Sequence, residues 1–224
     1  MPGGGGGTRG GDPAGPASTG LPYGSPGYWD ARYAAHTTPD AFTADEWYGP
    51  AGVAAVRAAV AALALPPGAP ALEVGCGVGR LADALASEFG LRLTATDISP
   101  TAIARRAAAA DPASFITWAV ADATALPFPP GAFSLVIDKG TCDALDCDDA
   151  GDGGTAVRAA LSEAARVLSP GGALVLASCR DPAARAGLVG PLFTTAAVVE
   201  VWGGEPGRPR PPCPEAYVYT LVLK

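Results

Sequence analysis

The residues best suited to chemistry are a glycine-rich turn and two carboxylates that follow it at the ends of later strands. Glu73-Val74-Gly75-Cys76-Gly77-Val78-Gly79 closes an apolar run and opens a helical one. Glycine at such a turn takes positive φ and lets a ligand approach the backbone closely. The spacing is G-x-G-x-G. The dinucleotide fingerprint G-x-G-x-x-G would need glycine at position 80, which is Arg80, and no Tyr-x-x-x-Lys pair is present. A nicotinamide-dependent dehydrogenase therefore fits poorly. Asp97 follows Gly75 by 22 residues, at the end of the second predicted strand. A carboxylate there accepts hydrogen bonds from both hydroxyls of a ribose. Asp122 follows the third predicted strand, where it suits an adenine amino group. Ser99 and Pro100 supply the cap and first residue of the next helix, which leaves Asp97 available for a ligand.

The elements around these residues alternate. Helices are predicted at 51–65, 80–89, 101–110 and 155–168, the second closed by Gly90 and the last stopped by Pro170-Gly171-Gly172. Strands are predicted at 71–74, 91–96, 114–120, 133–137 and 173–177, with two late ones at 196–202 and 217–223. Strands that alternate with helices argue for a parallel sheet covered on both faces. The late pair has no helix-sized spacer and reads as an antiparallel hairpin at the sheet edge, with Gly203–Pro214 as its loop. Residues 1–25 are rich in Gly, Pro and Ser and read as a disordered tail ahead of one domain at 26–224.

Composition excludes several classes. The net charge of −7 comes without any basic run, so a nucleic-acid partner is not expected. The longest apolar stretch, Val53 to Leu65, contains Arg57 and is too short to span a bilayer. The five cysteines form no C-x-x-C pair and His36 is the single histidine, which leaves no metal site in view. A monomeric cytosolic protein with reduced thiols is the simplest expectation.

Four further segments carry a family resemblance. Asp138-Lys139-Gly140-Thr141-Cys142-Asp143-Ala144 resembles the D-K-G-T-x-D-A segment of methyltransferases that modify lysines and N-termini, a group that includes the elongation factor 1-alpha and mitochondrial citrate synthase lysine methyltransferases. Tyr28-Trp29-Asp30-Ala31-Arg32-Tyr33 and Glu46-Trp47-Tyr48 resemble the same group's Y-W-x-x-R-Y and E-W-Y elements. Arg166 to Gly172 resembles the R-V-L-x-P-G-G turn of many class I enzymes. Cys142 departs from the group's usual leucine or tryptophan, and the chain after Arg180 matches weakly.

The resemblance implies a doubly wound, mostly parallel seven-stranded sheet with an antiparallel C-terminal edge. It implies S-adenosyl-L-methionine as cofactor and a protein lysine as acceptor. The implied cofactor shell is Trp29, Tyr33, Trp47, Gly75, Gly77, Gly79, Asp97, Ile98, Asp122, Ala123 and Lys139. Glu73, at the end of the first strand, suits either the cofactor's cationic amine or a structural hydrogen bond. Trp29, Tyr33 and Trp47 would form an aromatic lid near the sulfonium. Asp138 and Asp143 are the acids expected to orient the amine or take its proton, the other reading being a salt bridge to Lys139. The chain has only two lysines, Lys139 and Lys224, so a compact ammonium at a strand end is a selected feature. The acidic stretch 143–149 could draw in a basic substrate surface or be a solvated loop. A small-molecule methyltransferase and a non-catalytic cofactor-binding module are the alternatives.

Overall fold

The computed structural model describes residues 23, 25–35, 46–148, 154–202 and 213–224. The elements run α1 (Pro26–Ala35), α2 (Gly49–Ala62), β1 (Pro70–Val74), α3 (Leu81–Phe89), β2 (Arg92–Asp97), α4 (Pro100–Ala109), β3 (Ile116–Val120), β4 (Phe133–Lys139), α5 (Thr141–Asp148), α6 (Thr155–Val167), β5 (Leu168–Ser178), α7 (Pro182–Val189), β6 (Phe193–Val201) and β7 (Ala216–Leu223). Most tail residues, His36, Phe42, Asp149 and most of the expected 203–214 loop lie outside the described set.

The seven strands form one sheet in the order β3-β2-β1-β4-β5-β7-β6. The β1–β2, β1–β4, β2–β3 and β4–β5 pairs are parallel, while β7 pairs antiparallel with both β5 and β6. This is the doubly wound sheet with an antiparallel edge that the family resemblance implies. Strand order reverses at β1, since β2 lies on one side of it and β4 on the other. The crevice beyond the carboxyl ends of these strands is where such sheets bind ligands.

The central strands are apolar on both faces, as a doubly covered sheet requires. Ala71, Leu135, Ile137 and Val175 face a core completed by Val56 of α2 and by Leu81 and Leu85 of α3. Leu72, Val136, Leu174 and Leu176 face the opposite core with Val157, Leu161 and Ala164 of α6 and Val189 of α7.

Three helices escape the sequence pattern. α1 and α5 are short and rich in aromatic or acidic residues, so neither shows a clear apolar stripe. α7 does carry a start signal, because Asp181 accepts from the Ala184 N–H at 2.9 Å and Pro182 follows it. β5 also differs. The expected Pro170-Gly171-Gly172 stop lies within its bounds, since Leu168 already pairs with Phe133 before the register shifts and resumes at Ala173–Leu135. The Ser99 cap is as expected, its Oγ accepting from the Ala102 N–H at 3.2 Å.

Leu85 is fully buried beneath the sheet. Leu85→Ala should lower the unfolding free energy by about 2–5 kcal/mol, measured by urea denaturation.

Candidate cofactor and acceptor site

β1 stays buried to Val74, and the chain then turns at Gly75 and Gly77 with φ of 62° and 54°. Positive φ is one reason for glycine; crowding is the other. A Cβ on Gly75 would lie 1.9 Å from the Thr141 Oγ1 of α5. One on Gly77 would lie 2.8 Å from the Tyr33 hydroxyl of α1, and one on Gly79 would lie 2.9 Å from Glu46 Oε2. The turn is therefore a meeting point of three remote segments. It forms the base of a cleft of about 790 Å³.

The β2 and β3 ends supply the next stretch of lining. Asp97 is 5% exposed, and its two oxygens accept backbone N–H bonds from Gly77 at 2.8 Å and Ser99 at 2.9 Å. Burial raises its pKa while these bonds oppose the rise. Ile98, Asp122 and Ala123 line the cleft beside it. Asp122 Oδ1 accepts from the Thr124 N–H and hydroxyl, both at 2.8 Å, which fixes the loop after β3.

The opposite wall is built by two sequence elements that grip each other. Glu46, Trp47 and Tyr48 are consecutive, and each meets one residue of the stretch from the end of β4 into α5. Glu46 Oε1 lies 2.5 Å from Lys139 Nζ. Trp47 covers Gly140, where a Cβ would come within 2.8 Å of the indole. The Tyr48 hydroxyl donates to Asp143 Oδ2. The Lys139 partner is thus Glu46, and neither Asp138 nor Asp143 fills that role. Trp29 stacks on Tyr33 at 5.7 Å between ring centres and lies 5.8 Å from Trp47. Tyr23, in the segment expected to be tail, packs against Trp29 and Trp47.

Eleven of the twelve expected cofactor residues line this one cleft; Glu73 lies outside its lining, buried in β1. Asp138 and Asp143 also stay out of the lining. Asp138 Oδ1 accepts from the Thr141 N–H at 2.9 Å and its Oδ2 from the Cys142 N–H at 3.2 Å, which caps α5. Burial pushes the Asp138 pKa up to about 6, with Cys142 opposing. Asp143 is 1% exposed and accepts from the Ser178 hydroxyl and Cys179 N–H, each at 2.7 Å, and from Arg185 and Tyr48. Both carboxylates are spent on holding α5. Asp146, in the stretch weighed as a substrate attractor, pairs with Arg185 at 2.9 Å and Arg180 at 3.4 Å. Sequence reading gave no role to Glu46 or Thr141, although both stand inside the quoted motifs. Arg185 lies beyond them and gave no local signal.

Residues 72–176 match the family described as "Methyltransferase domain". The chain is 32% identical over 163 residues to "EEF1A lysine methyltransferase 4" of Mus musculus, covering 69% of this chain and 61% of that protein. It is 36% identical over 113 residues to "2-methyl-6-phytyl-1,4-hydroquinone methyltransferase" of Synechocystis, covering 50% of this chain and 33% of that protein. The chain thus spans less than two thirds of the length of either relative. Among solved structures, the N-methyltransferase NodS of Bradyrhizobium japonicum, in complex with S-adenosyl-L-homocysteine, superposes with a TM-score of 0.66 at 21% identity over 87% of this chain and 98% of that one.

S-Adenosylmethionine carries a cationic amine, an adenosine and a sulfonium, and the residues present suit all three. Glu73 is 2% exposed, and its Oε2 has no hydrogen-bond partner among the described residues. Burial pushes its pKa up to about 8; Lys139 opposes the rise and Glu46 adds to it. An orphaned buried carboxyl beside the turn suits an incoming ammonium. Without ligand, the native state holds a proton on Glu73 that the unfolded chain releases above about pH 4.5. The stability this contributes is full below that pH and is lost as pH rises through about 8. The unfolding free energy of the ligand-free protein should therefore fall with pH across this window, by at most about 1.4 kcal/mol per pH unit. Chemical denaturation at several pH values checks this, and Glu73→Gln should flatten the slope. The matched segment and the strand order agree: residues 72–176 match the methyltransferase domain family, the sheet has the class I methyltransferase fold, and its cleft suits S-adenosylmethionine.

Proposed function

We propose that this chain transfers the methyl group of S-adenosylmethionine to the ε-amine of a protein lysine, with elongation factor 1-alpha the first substrate to test. The observation that carries the reading is the grip of Glu46-Trp47-Tyr48 on Lys139, Gly140 and Asp143. It joins two of the three elements by which the sequence resembles the lysine-modifying group, and the similarity to the mouse relative supports it. A cytosolic location belongs to the same proposal.

When bound, the cofactor supplies a methyl group on a sulfonium leaving group, so the protein's task is positioning. In this reading Asp97 takes the ribose hydroxyls, Asp122 the adenine amino group and Glu73 the cationic amine. Trp29, Tyr33 and Trp47 offer ring faces to positive charge, worth about 0.5–2 kcal/mol for each favourable contact. The acceptor amine must be neutral to attack. Ala144, Leu145 and the Trp47 ring give it an apolar wall that disfavours the ammonium form. Asp138 and Asp143 act here by fixing that wall. Desolvation lowers the amine's pKa, and the proton leaves to solvent before attack.

The Synechocystis relative favours a second reading, a small organic acceptor. Incubation with labelled S-adenosylmethionine and a cell lysate separates the two. Methyl-lysine on a protein band supports the first, whereas label confined to small organic molecules supports the second. Asp97→Ala should weaken S-adenosylmethionine binding about 30-fold or more in calorimetry, because a buried charged acceptor is lost. An unchanged affinity would remove Asp97 from the cofactor site.

A further inference from the structure

Arg185 stands far along the chain from every motif named above, yet it is the largest of the fully buried side chains. Its guanidinium reaches three acceptors: Asp143 Oδ1 at 2.5 Å, the Ser178 hydroxyl at 3.0 Å and Asp146 Oδ2 at 2.9 Å. Asp143 in turn holds the Cys179 N–H and the Tyr48 hydroxyl. One buried network thus ties α7, the end of β5, α5 and the turn before α2.

None of Arg185, Asp143, Ser178 or Tyr48 lines the cleft, but their chain neighbours Trp47, Ala144 and Leu145 do. Tyr48 also has a left-handed backbone, φ 64° and ψ 13°, which a non-glycine residue holds only under constraint. Its Cβ presses on Gly52, where an added Cβ would sit 2.4 Å away. The bond to Asp143 ties this turn, with Trp47 beside it, to α5, alongside the Glu46–Lys139 pair.

We propose that Arg185, Asp143 and Tyr48 are positioning residues that set the acceptor wall of the cleft, acting through Trp47 and α5. The acceptor half of this inference rests on the methyl-transfer reading above. Asp97 and the backbone of the glycine turn make their own bonds outside the network, which reaches the cofactor side through Trp47. Loss of the network therefore lowers transfer far more than cofactor affinity.

Tyr48→Phe removes a single donor and keeps the ring. Asp143 retains Ser178, Cys179 and Arg185, so the fold persists. Two measurements apply. S-Adenosylmethionine affinity by calorimetry should stay within about twofold, while kcat/KM for the labelled protein acceptor falls at least about tenfold. The indole N–H resonance of Trp47, assigned with Trp47→Phe, should shift and broaden while those of Trp118 and Trp202 hold still. The resonance tests the network even if wild type transfers no methyl group, in which case the methyl-transfer reading fails alone. Arg185→Lys keeps the charge but spans fewer acceptors, and it should give the same pair of changes. An unmoved Trp47 resonance in both variants overturns the proposal. So does a loss of cofactor affinity that matches the loss of transfer.

Discussion

The carboxyl end of β1 is where the rest of the site converges. Gly75, Gly77 and Gly79 each leave room for a side chain from elsewhere: Thr141 of α5, Tyr33 of α1, and Glu46. A β-carbon at the first of these positions would displace a hydroxyl that donates to the Val74 carbonyl at 3.0 Å. The turn thus sets the spacing between β1 and α5, and α5 sets where Lys139 and Gly140 meet Glu46 and Trp47. The three glycines fix the geometry of the walls as much as they open a path for a ligand.

Charge follows the same economy. The segment after β4 reads as acidic, and it would be natural to place those charges in water. Asp143 and Asp146 are instead consumed by Arg185 and Arg180, and Asp138 by the α5 backbone. Lys139 is matched by Glu46. Among the described residues, Glu73 Oε2 has no hydrogen-bond partner at the base of the turn. An ionised carboxylate there is costly unless a cation pairs with it, so burial favours the neutral form.

Much of this was legible before any coordinates. Glycine spacing, Asp97 and the Ser99 cap are local signals, and the alternation of apolar runs gives the sheet and its antiparallel edge. Eleven of the residues named from sequence share one cleft because motif residues sit at strand ends, where topology brings them together. What stayed hidden is non-local. Nothing in Tyr48 or Arg185 announces that both reach Asp143, 95 and 42 residues away. Asp138 and Asp143 were expected at the reacting amine because carboxylates beside a lysine invite that reading. Their backbone and arginine partners become visible only once α5 and α7 are folded. α1 and α5 were missed for a related reason, since their residues are chosen for contacts with the site and leave no clean helical stripe.

α1 has one further consequence. It reaches the body through Asp30, which accepts from the Ser99 hydroxyl at 2.7 Å and the Thr101 N–H at 3.0 Å, and through a small cluster around Tyr33, Val78 and Ala102. None of its residues belongs to a strand or to either large core. Stability and entry to the cleft are thereby assigned to different stretches of chain. The sheet and the helices that cover it, α2 included, carry the first, and residues 26–35 and 46–48 shape the second. Such a division lets the front of the molecule drift in sequence, and the dimensions of its doorway with it, while the load-carrying sheet stays as it is.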